Sequence, residues 1–143
     1  MHRFLVLLAA VPIAALGCGG GLKLAAVSGR VTLDGHPAAG VHVGFQPVAA
    51  AGEKYPGGGS YAITDSDGRF TLKLVENDRT GAIVGKHRVE IASRQQADDA
   101  TDSIQKSGRP KAVVPPKYNR ESNLTFEVPG GGTTDANFDL TTK

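Results

Sequence analysis

Val27, Gly29, Val31 and Leu33 alternate with Ser28, Arg30, Thr32 and Asp34, a two-residue period that predicts a strand with one buried face. Val41, Val43 and Phe45 repeat the rhythm against His42, Gly44 and Gln46. Between the two runs lies Asp34-Gly35-His36-Pro37, where glycine permits the backbone angles of a tight turn, so the two runs are expected to form a hairpin or a close neighbour of one. Tyr61 and Ile63 precede "DSDG", and Phe70, Leu72 and Leu74 follow it, which predicts a second hairpin. Val89 and Ile91, then Leu124, Phe126 and Val128, then Ala136, Phe138 and Leu140 continue the pattern. Only Gln95 to Lys106 is a candidate for a short helix. Seven short strands with one apolar face each must bury those faces against one another, and two antiparallel sheets stacked face to face do so. The expected fold is therefore all-β, a seven-stranded antiparallel β-sandwich.

The first residues follow a different pattern. His2 and Arg3 form a positive head, and Phe4 to Leu16 is an unbroken run of 13 apolar or small residues. As a helix that run reaches only about 20 Å, against about 30 Å of hydrocarbon. A positive start, an apolar middle and small residues at the exit read as a secretory signal peptide over residues 1–17. Cys18, the one cysteine of the chain, follows at once. In an oxidising compartment it has no partner for an intramolecular disulfide. Ala15-Leu16-Gly17-Cys18 resembles the lipobox of bacterial lipoproteins, although Ala15 stands where leucine is usual. The resemblance implies that Cys18 is lipidated on sulfur and becomes the new N-terminus; the alternative is a plain signal peptide with an incidental cysteine. Two or more acyl chains give stable anchoring without a membrane span. The protein is then expected to be exported and membrane-anchored, facing the periplasm or the cell surface. Gly19 lacks the aspartate that retains some lipoproteins at the inner membrane, which favours the outer one. Residues 18–25, with Gly19-Gly20-Gly21, read as the lipidated cysteine and a flexible spacer, and residues 26–143 as the β-sandwich domain.

Charge excludes one class of partner. Of the 16 basic residues only Arg3 falls in the leader, leaving 15 positive against 14 negative side chains. That balance, with no basic stripe and no Trp, gives no reason to expect nucleic acid.

"VSGRVTLDGHPAAGVHVGFQP", "TDSDGRFTL" and "GAIVGKHRVEI" together resemble the carboxypeptidase regulatory-like domain, a transthyretin-type (prealbumin-like) Greek-key sandwich. His87 stands where that family often has tyrosine. With "PPKYNRESNLTFEV" and "NFDL", the chain is also similar to small lipoproteins of planctomycete bacteria. The resemblance runs from about Ala26 to Leu140 and implies an accessory domain without catalysis of its own.

Candidate chemistry is sparse. Asp65 and Asp67 present two carboxylates for a hard cation, but a calcium loop wants six to eight oxygens, and Arg69 and Phe70 follow. A turn capped by aspartate, with Gly68 in the left-handed region, is the competing reading. His36, His42 and His87 lack the spacing of a zinc site; His36 reads as a turn residue, His42 as a solvent-face residue and His87 as a buried, hydrogen-bonded ring. "GAIVGKH" has three residues between its glycines where a phosphate loop needs four, and Gly58-Gly59-Ser60-Tyr61-Ala62 lacks the second glycine of a nucleophile elbow. The transthyretin-like hydrolases of 5-hydroxyisourate end in Tyr-Arg-Gly-Ser, whereas this chain ends Asp139-Leu140-Thr141-Thr142-Lys143. If the domain has a recognition surface, its long loops are where to look, with solvated disorder as the competing reading: 47–60 with Lys54 and Tyr55, and 94–117 with Arg109 and Lys111. Tyr118 is expected to pack at the sandwich edge. The reading is a lipid-anchored envelope module, binding or structural, without enzyme activity or cofactor, whose partners are the membrane and an envelope protein or glycan. The alternatives are a small transthyretin-like hydrolase and a calcium-stabilised adhesion module.

Overall fold

The computed structural model describes residues 21–94 and 113–143. Its strands are β1 (Leu24–Ala25), β2 (Ser28–Leu33), β3 (His36–Pro37), β4 (Val41–Pro47), β5 (Ser60–Ile63), β6 (Arg69–Thr71), β7 (Lys73–Leu74), β8 (Ala82–Ile83), β9 (Gly85–Ser93), β10 (Thr125–Val128) and β11 (Phe138–Leu140). A 3₁₀ turn spans Pro116–Tyr118. The fold is all-β and sandwich-like, not a closed barrel. One sheet runs β10-β9-β4-β5-β7, antiparallel throughout. Facing it, β2 pairs with β3 and β6 antiparallel and with β11 in parallel. β1 and β8 form a separate antiparallel ribbon.

Alternation positions the core. Val43, Phe45, Val89 and Ile91 line the inner face of the five-stranded sheet, and Val31, Phe70, Phe138 and Leu140 come from the opposite layer; all are buried. The layers interlock through aromatic rings. Phe45 meets Phe138 edge-on with centroids 6.1 Å apart, and Phe126 lies 5.6 Å from Phe45 and 6.1 Å from Phe138. Tilted and edge-on pairs at these distances add about 0.5–1.5 kcal/mol each beyond area burial.

The structure departs from the expected hairpins. The Asp34-Gly35 turn, with φ of 50° and 82°, folds β2 onto the two-residue β3 and not onto β4. β4 crosses to the other sheet, where it lies between β5 and β9. After the DSDG turn, β6 joins β2, and only β7 returns to β5, pairing Ser60 with Leu74 and Tyr61 with Lys73. Burial in β5 is also the reverse of that expected. Directly opposed residues share a face, so the pairs Val43↔Ala62 and Phe45↔Ser60 turn Ala62 and Ser60 inward and leave Ile63 47% exposed. Thr64 continues the buried set; its hydroxyl donates to the Ala38 carbonyl at 2.6 Å and accepts from the Val41 amide at 3.0 Å. Leu24 and Ala25, expected within the spacer, form β1, with Ala25 buried. The candidate helix at 95–106 lies outside the described residues.

Candidate functional site

The Asp65–Gly68 turn is closed by its own side chain. Asp65 Oδ1 accepts the amides of Asp67 and Arg69, both at 2.9 Å, and the Asp67 carbonyl accepts Arg30 Nε at 2.9 Å. Gly68 has φ of 74°, and a Cβ there would collide with the Val31 carbonyl, so glycine is required both by conformation and by space. The turn reading thus accounts for one oxygen of Asp65. Among the described residues no three His, Cys, Asp or Glu side chains converge to hold a metal ion.

The three described histidines occupy different surroundings. His36 is exposed beside the Asp34-Gly35 turn. His42 projects from the outer face of β4, but it is half-buried and not simply solvated. Its ring lies parallel to that of Tyr61, centroids 6.2 Å apart, and leans over Gly44, whose missing side chain leaves the room. Burial pushes the His42 pKa down, and the Glu90 carboxylate partly opposes that shift. Tyr61 is held in turn by a hydrogen bond to Asp78 Oδ1 at 2.9 Å. The two-residue period alone does not reveal this pair. The glycine in the middle of an outward row, opposite Tyr61 in register, is the signal that marks it.

His87 points inward from β9, as the parity of Val89 and Ile91 predicts. Nδ1 lies 3.0 Å from the Gly85 carbonyl, the ring sits 5.7 Å from that of Phe45, and burial lowers its pKa. Its Nε2 is buried without a hydrogen-bond partner among the described residues, as is Ser60 Oγ. Both groups border Phe45, yet they do not bond each other, so no serine–histidine pair is formed there.

Loop 48–59 carries Lys54 and Tyr55 in exposed positions. It is tied down at several points. Tyr55 donates to Glu76 Oε1 at 3.2 Å, and the Gly59 carbonyl accepts from the Val75 amide at 3.0 Å. The glycines are needed for close approach: a Cβ on Gly57 would come within 2.9 Å of Leu22 Cδ1 and 3.0 Å of Ile83 Cγ1, and one on Gly58 within 2.6 Å of Glu76. Arg109 and Lys111, the other loop candidates, lie outside the described residues, as do Cys18 and the leader.

Other polar groups on the outer face secure the fold. Arg88 pairs with Glu90 at 2.8 Å and donates to the carbonyls of Ser122 and Arg120 at 3.0 and 2.9 Å, linking β9 to the segment before β10. Tyr118 packs against the core from the sandwich edge, and its hydroxyl accepts the Thr141 amide at 3.1 Å. Among the described residues no helix is long and apolar enough to cross a membrane. Comparison with family models, curated proteins and solved structures finds no match to the chain.

Proposed function

We propose that the protein is a lipid-anchored, exported envelope module with a binding or structural role and no catalysis of its own. Its sheets would follow the seven-stranded Greek-key plan of the transthyretin-like, carboxypeptidase regulatory-like domains; the crossing of β4 from the first turn into the opposite sheet supports that plan. The observation that carries the non-catalytic reading is the dispersal of reactive groups. His36 is exposed at a turn, His42 stacks on the outer face of the five-stranded sheet, and His87 sits in the core on the inner face of the same sheet. A hydrolytic site needs its base within hydrogen-bonding reach of nucleophile and substrate, which this placement does not offer. Self-closure of the Asp65 turn likewise weighs against the calcium-stabilised adhesion module.

The anchor is tested by Cys18→Ala. Expressed with its leader, this variant should move from the membrane fraction to the soluble fraction, while the unsubstituted chain partitions into detergent. Equal membrane association of both proteins would refute lipidation.

A further inference from the structure

We infer that the end of the sandwich carrying Leu22, Tyr55 and Val75 lies against the lipid surface, so that the domain is docked on the membrane and not merely tethered to it. The inference rests on lipidation of Cys18. These three residues are 48%, 63% and 62% exposed, and they are joined locally. Leu22 packs against Gly57, two residues from Tyr55; Tyr55 bonds to Glu76, the neighbour of Val75; and Val75 bonds through its amide to Gly59. Three exposed apolar side chains thus sit on neighbouring segments at one end of the domain, at the point where the described chain begins.

The length of chain between the anchor and these side chains selects the occupant. Cys18 and Leu22 are four residues apart, which spans at most about 14 Å when fully extended. The headgroup layer is itself about 5–8 Å thick on each side of the hydrocarbon. Leu22 therefore cannot move far from the headgroups, and Tyr55 and Val75 are carried with it. Tyrosine suits that layer, having an apolar ring and a polar tip. Charge on the segments that carry these residues nearly cancels, with Lys23, Lys54, Lys73 and Arg79 against Glu53, Glu76 and Asp78, all exposed, so contact is chiefly apolar and not salt-driven. β2 puts about 17 Å of extended strand between this end and the turn at His36, which faces away from the lipid.

The chain contains no Trp, so a single introduced indole reports its own surroundings. Tyr55→Trp, Val75→Trp and His36→Trp are made in the full-length protein, purified from membranes and reconstituted into vesicles containing brominated phosphatidylcholine. Sedimentation with the vesicles reads the anchor; quenching reads the face. The expected result is co-sedimentation of all three, with quenching at 55 and 75 about twofold or more above that at 36, unchanged at raised salt. Co-sedimentation with equal, weak quenching at all three positions overturns docking and leaves the anchor standing. Shielding of 55 and 75 from aqueous acrylamide without bromolipid quenching assigns these residues to a protein contact and also overturns it. Failure to sediment removes the anchor, and the docked face with it.

Discussion

Gly29 and Ala136 lie so close that a Cβ on Gly29 would overlap the Ala136 carbonyl, although the Gly29 backbone is not in the left-handed region. The contact is between main chains: the Ala136 amide donates to the Ser28 carbonyl at 3.1 Å just before β11 pairs with β2. A side chain there has no flexible neighbour to displace. Gly29→Ala should therefore cost about 3 kcal/mol, the upper part of the range for overpacking. Gly35 has φ of 82° and open space around its Cβ position, so Gly35→Ala should cost only about 1 kcal/mol, the left-handed penalty alone. Urea denaturation of the two variants gives the comparison, and equal losses would contradict the assigned packing of β11 on β2.

Thr64 and Ile63 test the orientation of β5. Thr64→Val removes a hydroxyl that satisfies both Ala38 and Val41 inside the protein, and should cost about 2 kcal/mol by leaving those groups unpaired. Ile63→Thr alters an exposed side chain and should change stability by no more than about 0.5 kcal/mol. A larger loss for Ile63→Thr would restore the opposite orientation.

His87 and His42 are both shifted below the ordinary histidine pKa of 6.5 by burial. The folded protein resists protonation at these rings more than the unfolded chain does. Their contribution is therefore fully present above pH 6.5 and is lost as pH falls below it toward the lowered folded values. Thermal melts of the unsubstituted protein at pH 7.5 and pH 5 should show the Tm falling, and His87→Gln combined with His42→Gln should flatten that fall. Carboxylates that must be protonated act only at lower pH. An undiminished decrease in the double variant would show that other groups set the acid sensitivity.

Much of the layer structure was legible in residue alternation. The inward sets Val41-Val43-Phe45, Phe70-Leu72-Leu74, Val89-Ile91 and Ala136-Phe138-Leu140 are buried as their two-residue period predicts. β5 departs from its apolar pattern because its buried face is made of Ser60, Ala62 and Thr64, small or polar residues whose inward placement depends on pairing with β4. Strand partners differ from the expected hairpins for a related reason: a turn signal after β2 specifies a reversal, but not how many residues pair beyond it, and here only His36 and Pro37 do. Of the candidate site residues, the Asp65–Gly68 turn and the burial of His87 follow from local sequence. The His42–Tyr61 stack and the exposed group of Leu22, Tyr55 and Val75 join residues distant in the chain, so they emerge only once the sheets are assembled.

The most direct test of the proposed anchor is the intact mass of the full-length protein recovered from the membranes of an expressing bacterium. The expected mass is that of a chain that has lost residues 1–17 and gained diacylglyceryl and acyl groups on Cys18. A chain that retains Met1 and carries a free thiol at Cys18 would contradict it.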